Sequence, residues 1–147
     1  MKLRAHFAEY LGTALITATV IGSGIMVQAL TRDVLLQLFV NTFATVLILG
    51  LAIWLLAPIS GAYFNPAVLL VAFIRRELSA LHLLTFTLVQ VAGAASGAIL
   101  SHALFNRTLI DPSTTSRVGS WLFLSEVVAT AGLIATIFIA SNQGRGH

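Results

Sequence analysis

The tripeptide Asn65-Pro66-Ala67 interrupts a long uncharged apolar stretch, and it is the feature of the chain with the clearest chemical consequence. An Asn-Pro pair usually marks a turn. Within a bilayer such a turn cannot face lipid, because its backbone N–H and C=O groups would have no hydrogen-bond partner. The break is therefore predicted to line a polar space inside the membrane, and a pore is the natural candidate.

Asn65 and Pro66 are suited to starting a short helix at this break. Asn is favoured at the N-cap, where its side-chain oxygen accepts from a first-turn N–H, and Pro is favoured at the first helical position. The amide NH2 of Asn65 would then remain as a donor directed into the pore, beside the positive end of the helix dipole. The donor and the positive field together would disfavour cations in such a pore.

Two carboxylates, Glu9 and Glu126, accompany other apolar stretches. A carboxylate at membrane depth is costly unless it is hydrogen-bonded. The segments around them, 8–20 and 125–137, align at one constant offset and share Glu, Thr and Ala positions. An odd number of spans separates the two copies, so they are predicted to run in opposite directions through the membrane. Inverted repeats of this kind build many transport proteins.

The composition is that of a polytopic membrane protein. Of 147 residues, 58% are hydrophobic and only 9% are charged, against about 25% charged residues in soluble domains. The chain has no cysteine, and His82 and His102 fall at opposite ends of one span, so no metal site is expected. No nucleophile–base pair or phosphate loop appears, which argues against an enzyme and against a cofactor. The few basic residues are scattered, which argues against nucleic acid as a partner.

Charges and helix breakers divide the chain into spans. The uncharged run 34–74 is long enough for two crossings, but Pro58, Gly61 and Asn65-Pro66 leave only residues 67–74 before Arg75. Eight residues at ~1.5 Å each reach about 12 Å, under half of a ~30 Å hydrocarbon core. This predicts one full helix at about 34–57, a loop that enters the membrane, and a half-helix at about 66–74 that returns.

The remaining spans complete the predicted architecture, an all-α membrane protein with four transmembrane helices and one re-entrant half-helix. The first span contains the uncharged run 10–31, the third covers about 79–105 and the fourth about 120–141. Residues 1–105 would form one repeat, 106–119 an extramembrane loop, and 120–147 the first helix of an incomplete second repeat. Gly93 and Gly97 form a Gly-x-x-x-Gly pattern that predicts close helix packing.

Four spans would place both termini on one side of the membrane. Basic residues favour the cytoplasmic side for the termini. The expected location is the plasma (cell inner) membrane. That side would hold Lys2, Arg4, Arg75, Arg76 and Arg145, against Arg32, Arg107 and Arg117 on the other.

These motifs resemble the major intrinsic protein (aquaporin) family. The matching elements are Ala8-Glu9-x-x-Gly12-Thr13, the loop run 59–68, Gln90-x-x-Gly93-Ala94, and Glu126. The resemblance implies a channel for passive flux of water or small neutral solutes. Family members usually have six spans and two half-helices and assemble as tetramers. This chain would be truncated after the fourth span and incomplete alone, so its partners would be the lipid bilayer, identical subunits or a complementing second-half polypeptide.

The resemblance also implies roles for individual residues. The pore-lining set would be Thr45, Tyr63, Asn65, Pro66 and Ala67. Thr45 occupies a constriction position that is commonly Phe in water channels, which suggests a wider opening of the type that passes glycerol or metalloid acids. Glu9 would brace the loop around 62–64. Glu126 would brace a second loop that this sequence lacks, so it is expected to be protonated, bound to water, or satisfied by another polypeptide.

Other interpretations of the same residues remain open at this point. A small four-helix proton-coupled exporter could use Glu9 as its proton site, although such exporters lack a re-entrant loop. A non-conducting fragment or assembly partner of a full-length aquaporin would show no flux alone. Glu9 itself could extend to the membrane surface, since it lies near the start of its span.

Overall fold

The computed structural model of the chain describes residues 3–111, 116 and 118–142. These residues contain five helices and no strand. The helices are α1 (Leu3–Leu30), α2 (Val34–Ser60), α3 (Pro66–Ile74), α4 (Ala80–Leu104) and α5 (Ser120–Asn142). By length and composition α1, α2, α4 and α5 can cross a membrane, whereas the nine residues of α3 reach only about 14 Å. The predicted all-α architecture is confirmed.

The chain divides into two compact units, Met1–Ile110 and Asp111–His147. The first unit contains α1 to α4 and therefore the Asn-Pro-Ala break. The second contains α5. Part of the predicted extramembrane loop, residues 112–115 and 117, lies outside the described residues, and the finer division at 105 and 119 stays a prediction.

Side-chain contacts show how the helices of the first unit run relative to one another. Glu9 contacts Gln90, and farther along both helices the carbonyl of Ala18 accepts from Ser101, so α1 and α4 are parallel. Asn41, near the start of α2, reaches the backbone of Val20 in the second half of α1, so α2 is antiparallel to α1. The end of α2 and the start of α4 therefore lie on the same side, and the segment between them is re-entrant.

Small residues allow α1 and α4 to pack closely. A Cβ atom added at Gly93 would overlap the carbonyl oxygen of Tyr10, and one at Gly97 would overlap that of Ala14. Such close backbone approach is typical of helix pairs in membranes. The Tyr10 hydroxyl also donates to Ser96 Oγ at 2.8 Å. This pair of helices is the rigid support on which the re-entrant segment is built.

Helix α2 extends three residues beyond its predicted end at residue 57. Pro58 lies inside the helix, where it has no N–H to donate to the carbonyl four residues earlier, and the helix nevertheless continues past it. The N–H of Gly61 still donates to the carbonyl of Ala57 at 2.9 Å, so the last turn is closed. Gly61 then adopts φ 94°, the left-handed conformation that ends many helices. The helix therefore ends at Ser60, and the glycine, not the proline, stops it.

Candidate pore site

The carboxylate of Glu9 holds the loop between α2 and α3 in place. Glu9 is fully buried (0% exposed). Its two oxygens accept from the backbone N–H of Tyr63 at 3.1 Å and of Phe64 at 2.9 Å, and from the side-chain Nε2 of Gln90 at 2.7 Å. Hydrogen bonds to an ionised acceptor are stronger than neutral ones. One side chain of α1 thus ties the loop to α4, and Glu9 does not extend to the membrane surface.

Gln90 has a part in the site that sequence reasoning did not assign. It appeared there only as one letter of a helix motif, yet it is 1% exposed and supplies the third donor to Glu9. The sequence offered one signal for this role: Gln90 is an uncharged polar side chain in an apolar span, and it lies on the same helix face as Gly93 and Gly97. A pairing that joins positions so far apart in the chain could not be read from local pattern.

The loop that Glu9 braces has an unusual backbone. Ala62 and Phe64 have positive φ angles of 52° and 48°, a region that costs roughly 1–2 kcal/mol for a residue with a Cβ atom. The N–H of Ala62 donates to Ser60 Oγ at 3.1 Å. With Glu9 accepting from the next two N–H groups, the loop has consecutive hydrogen bonds that compensate this strain.

The ring of Phe64 anchors the same loop against α1. The residue is 8% exposed, and its ring lies over Gly12, where an added Cβ atom would overlap the ring carbons. Gly12 belongs to the Glu9 motif, one turn farther along α1. It lies nine residues after Leu3, about 14 Å along the helix. The loop is therefore held against α1 about 14 Å along the helix from Leu3.

Asn65 caps α3 and leaves a donor available. The N–H of Ala67 donates to Asn65 Oδ1 at 2.8 Å. A backbone N–H can only donate, so the side-chain oxygen must face it and the NH2 group must point elsewhere. Among the described residues Asn65 Nδ2 has no hydrogen-bond partner, and Asn65 is half-buried. The N-terminus of α3 thus presents an amide donor together with a partial positive charge.

Helix α3 is fixed at both ends and along one side. Val68, Leu69 and Ala72 are buried, and α3 packs on α4. At its C-terminus the N–H of Glu77 donates to the carbonyl of Ala72, and the N–H of Arg76, at φ 63°, donates to that of Phe73. This is the Schellman pattern, with Arg in place of the usual Gly. The donor at Asn65 is therefore carried by a rigid element.

The structure places Glu9 of α1 against the loop that contains Tyr63 and leads to the capped Asn65, and it leaves Thr45 apart on α2. The Tyr63 ring is half-buried, with its centroid 6.4 Å from that of Phe86. Pro66 is exposed and Ala67 is half-buried. The half-buried Thr45 donates its hydroxyl hydrogen to the carbonyl of Asn41 at 2.8 Å. That these residues line a pore stays a prediction.

Glu126 lies on α5, which forms its own unit with the surrounding residues. Within α5 no group donates to its carboxylate, and Ser125 beside it donates to the carbonyl of Leu122. Its predicted bracing role stays a prediction. In the part of the chain that the structure describes, no group of three or more His, Asp or Glu side chains could hold a metal ion.

Comparisons with known proteins agree with this geometry. The family model described as Major intrinsic protein matches residues 1–147. Aquaglyceroporin AqpS of Rhizobium meliloti (strain 1021) is 47% identical over 134 residues, covering 91% of this chain and 58% of that protein. Aquaporin-2 of Homo sapiens is 30% identical over 150 residues, covering 98% and 54%. Propanediol uptake facilitator PduF of Citrobacter freundii is 34% identical over 98 residues, covering 67% and 36%. No solved structure gives a significant match.

The chain spans about half the length of the curated relatives it matches. The match to the family model extends over the whole chain, including the loop braced by Glu9 and the helix capped by Asn65. The resemblance inferred from the motifs is thereby confirmed, and the chain belongs to the major intrinsic protein family.

Proposed function

We propose that this chain is a channel polypeptide for the passive flux of water or small neutral solutes across a membrane. The observation that carries the proposal is the capped Asn65, whose oxygen is committed to Ala67 and whose NH2 remains as a donor at the start of a half-helix too short to cross a membrane. Family membership supports the same function, and the names of relatives include aquaporins and facilitators of glycerol and propanediol uptake. No cofactor is required for diffusion down a gradient.

The chemistry of the site follows from the direction of its dipoles. A permeating water or hydroxyl oxygen accepts from Asn65 Nδ2, which turns its hydrogens away from α3. The positive end of the α3 dipole adds to this orientation and repels cations. A water held in this way cannot pass a proton along a continuous chain. The carboxylate of Glu9 stays behind the loop, where it fixes the backbone.

Thr45, Tyr63, Asn65, Pro66 and Ala67 form the pore lining in this proposal. Thr45 has a small side chain, which favours a constriction wide enough for polyols or undissociated metalloid acids. We assign Glu9 and Glu126 to equivalent bracing roles, each behind the loop of its own repeat. Termini on the cytoplasmic side of the plasma (inner) membrane complete the proposed arrangement.

In this proposal a second half-helix, of the kind that family members have, completes the wall of the pore. Among the described residues only α3 is such a half-helix, and the chain spans about half the length of its relatives. The second half would come from a longer polypeptide or from an associated one, in a tetramer-like assembly. In that assembly Glu126 would brace the second loop.

Flux through proteoliposomes tests this function. The chain is reconstituted alone and together with the second half of a relative, and osmotic shrinkage is followed by stopped-flow light scattering. Water and glycerol flux that does not depend on a pH gradient supports a channel. Uptake that requires the gradient would instead support the proton-coupled exporter. Absence of flux in both preparations would support a non-conducting partner.

The substitution Asn65→Asp tests the donor to the pore without removing the N-cap of α3. Asp still accepts from the Ala67 N–H, so α3 should remain capped. The donor is replaced by a negatively charged acceptor, so water flux should fall about tenfold, equivalent to ~1.4 kcal/mol in barrier height, and a proton leak should appear. A pH-sensitive dye inside the vesicles measures the leak. Asn106→Asp, in an exposed turn, is the matched control, and equal effects of the two would contradict the assignment.

A further inference from the structure

Two amide side chains of α2, Gln37 and Asn41, lie in a groove between α1 and α2. Gln37 Nε2 donates to the carbonyl of Thr31 at 2.8 Å. Asn41 Nδ2 donates to the carbonyl of Val20 at 2.8 Å and to Ser23 Oγ at 2.9 Å. A backbone carbonyl can only accept, so the nitrogen of each amide must face it. The orientation of both amides is thus fixed by chemistry.

This orientation leaves the amide oxygens available. An Asn side chain has two N–H donors and one oxygen acceptor. Both donors of Asn41 are used within the protein, so Asn41 can offer a ligand only its Oδ1 atom. One donor of Gln37 is used, and its Oε1 atom has no partner among the described residues. Both side chains are half-buried and border the groove.

Thr45 continues the same series along α2. Positions 37, 41 and 45 follow one another at i, i+4 spacing, which places them on one face about 6 Å apart along the axis. The hydroxyl hydrogen of Thr45 is committed to the carbonyl of Asn41, so its oxygen also acts toward a ligand as an acceptor. We call the three oxygens, Gln37 Oε1, Asn41 Oδ1 and Thr45 Oγ1, the acceptor column.

The acceptor column is separate from the loop at Asn65. Asn41 bonds to Val20, which follows Glu9 by eleven residues, or about 16 Å along α1. The groove has a volume of about 300 Å³, at the lower end of small-molecule sites. Apolar side chains of Val27, Val34 and Leu38 form much of its wall, the amide side chain of Gln28 also borders it, and no charged residue lines it.

We propose that the acceptor column binds small neutral solutes with two or more hydroxyl donors, such as polyols or undissociated oxyacids. Two hydroxyls of the solute each donate to one of the amide oxygens, which lie one turn apart, while the carbon skeleton contacts the apolar wall. The acceptor column thus offers oxygens to a solute, whereas Asn65 offers a donor. Selection of such solutes before they reach Asn65 rests on the proposed channel function, whereas binding itself does not.

Binding is tested on the full chain in detergent micelles by NMR. The side-chain carbonyl carbons of Gln37 and Asn41 are followed during titration with glycerol. The chemical shifts of both carbons should change and reach a plateau with increasing glycerol, because a carbonyl that accepts a hydrogen bond changes its chemical shift. Glycerol trimethyl ether, which lacks donors, should produce no such shift, and the carbonyl of the buried Gln90 should stay silent. Equal shifts with both probes, or none with glycerol, would overturn the site.

Selection is tested by flux with Gln37→Met, which keeps the length of the side chain and removes its oxygen. The ratio of glycerol to water permeability should fall roughly three- to tenfold, as expected for the loss of one hydrogen bond. Leu35→Met, on an exposed part of α2, is the matched control. Chemical-shift changes without any solute flux would support the binding site and refute the channel function. Flux with an unchanged ratio and no shifts would refute the site and sustain the channel.

Discussion

At the scale of single residues, the site depends on a buried carboxylate that accepts three hydrogen bonds. Glu9 accepts from Tyr63, Phe64 and Gln90 within a segment that spans the membrane. A charged group at this depth is tolerated only with such partners. The same bonds give the strained loop its fixed shape, so the stability of the first unit and the shape of the loop before Asn65 depend on one side chain.

Glu9→Gln should destabilise the first unit. Gln has one acceptor oxygen in place of two, so at least one of the loop N–H groups loses its bond, at a cost of about 1–3 kcal/mol. Unfolding in mixed micelles measures the change, and hydrogen exchange at Tyr63 and Phe64 should accelerate. Glu77→Gln is the matched control, because Glu77 forms an exposed ion pair with Arg75. Equal effects of the two substitutions would contradict the bracing role.

Gly12→Ala should disturb the loop through Phe64. The added methyl would overlap the phenyl ring, and overpacking of this kind typically costs about 1–3 kcal/mol. Phe64→Leu removes the ring and should partly rescue Gly12→Ala. A double-mutant cycle of unfolding free energies measures the coupling. Strictly additive effects would show that the ring does not depend on the space at Gly12.

At the scale of elements, the parallel pair of α1 and α4 positions the half-helix. Three features join the pair, namely small residues at the contact, polar bonds across it, and Glu9 bridging to the loop. Lipid acyl chains are as apolar as the side chains of the helices, so the hydrophobic effect does not drive the helices together. Close packing and hydrogen bonds hold them instead.

Gly93→Ala should separate α1 from α4. Its methyl would overlap the backbone carbonyl of Tyr10, which cannot move independently of its helix, and a loss of about 1–3 kcal/mol is expected. Gly50→Ala is the matched control, because a Cβ atom at Gly50 meets nothing within 4 Å. Unfolding free energy again measures the effect. An unchanged free energy of unfolding for Gly93→Ala would show that α1 and α4 can move apart without loss of stability.

At the scale of the whole molecule, helix directions determine the membrane topology of the first unit. Helix α2 returns to the side where α1 begins, and α4 starts from that same side. The half-helix α3 is too short to cross in between. The segment 61–79 must therefore enter and leave the membrane on one side.

Cysteine labelling tests this topology in a chain that has no cysteine of its own. Ile59→Cys and Arg76→Cys should react with a membrane-impermeant maleimide from the same side of sealed vesicles. Arg32→Cys, in the connection between α1 and α2, should react from the opposite side and serves as the control. Labelling of positions 59 and 76 from opposite sides would require a complete crossing between them and would refute the re-entrant segment.

Much of the fold could be read from local sequence. Apolar run length predicted the four long helices, and the Asn-Pro pair predicted a half-helix at 66–74, the bounds that α3 has. The end of α2 was misplaced by three residues because proline is a strong local signal, yet the helix continues through Pro58 and its last turn is closed by the N–H of Gly61. The carboxylate in the first span was recognised as costly and in need of partners.

The sequence by itself determined which segments are helical, where the membrane helix breaks, and which family the chain resembles, because these depend on neighbouring residues and the hydrocarbon thickness. Only the tertiary structure decided that Gln90 is the third donor to Glu9, that Gly12 makes room for Phe64, and that the amides of Gln37 and Asn41 present their oxygens. These facts depend on partners distant in the chain. A side-chain amide can face either way, and only the group it meets in space fixes its direction.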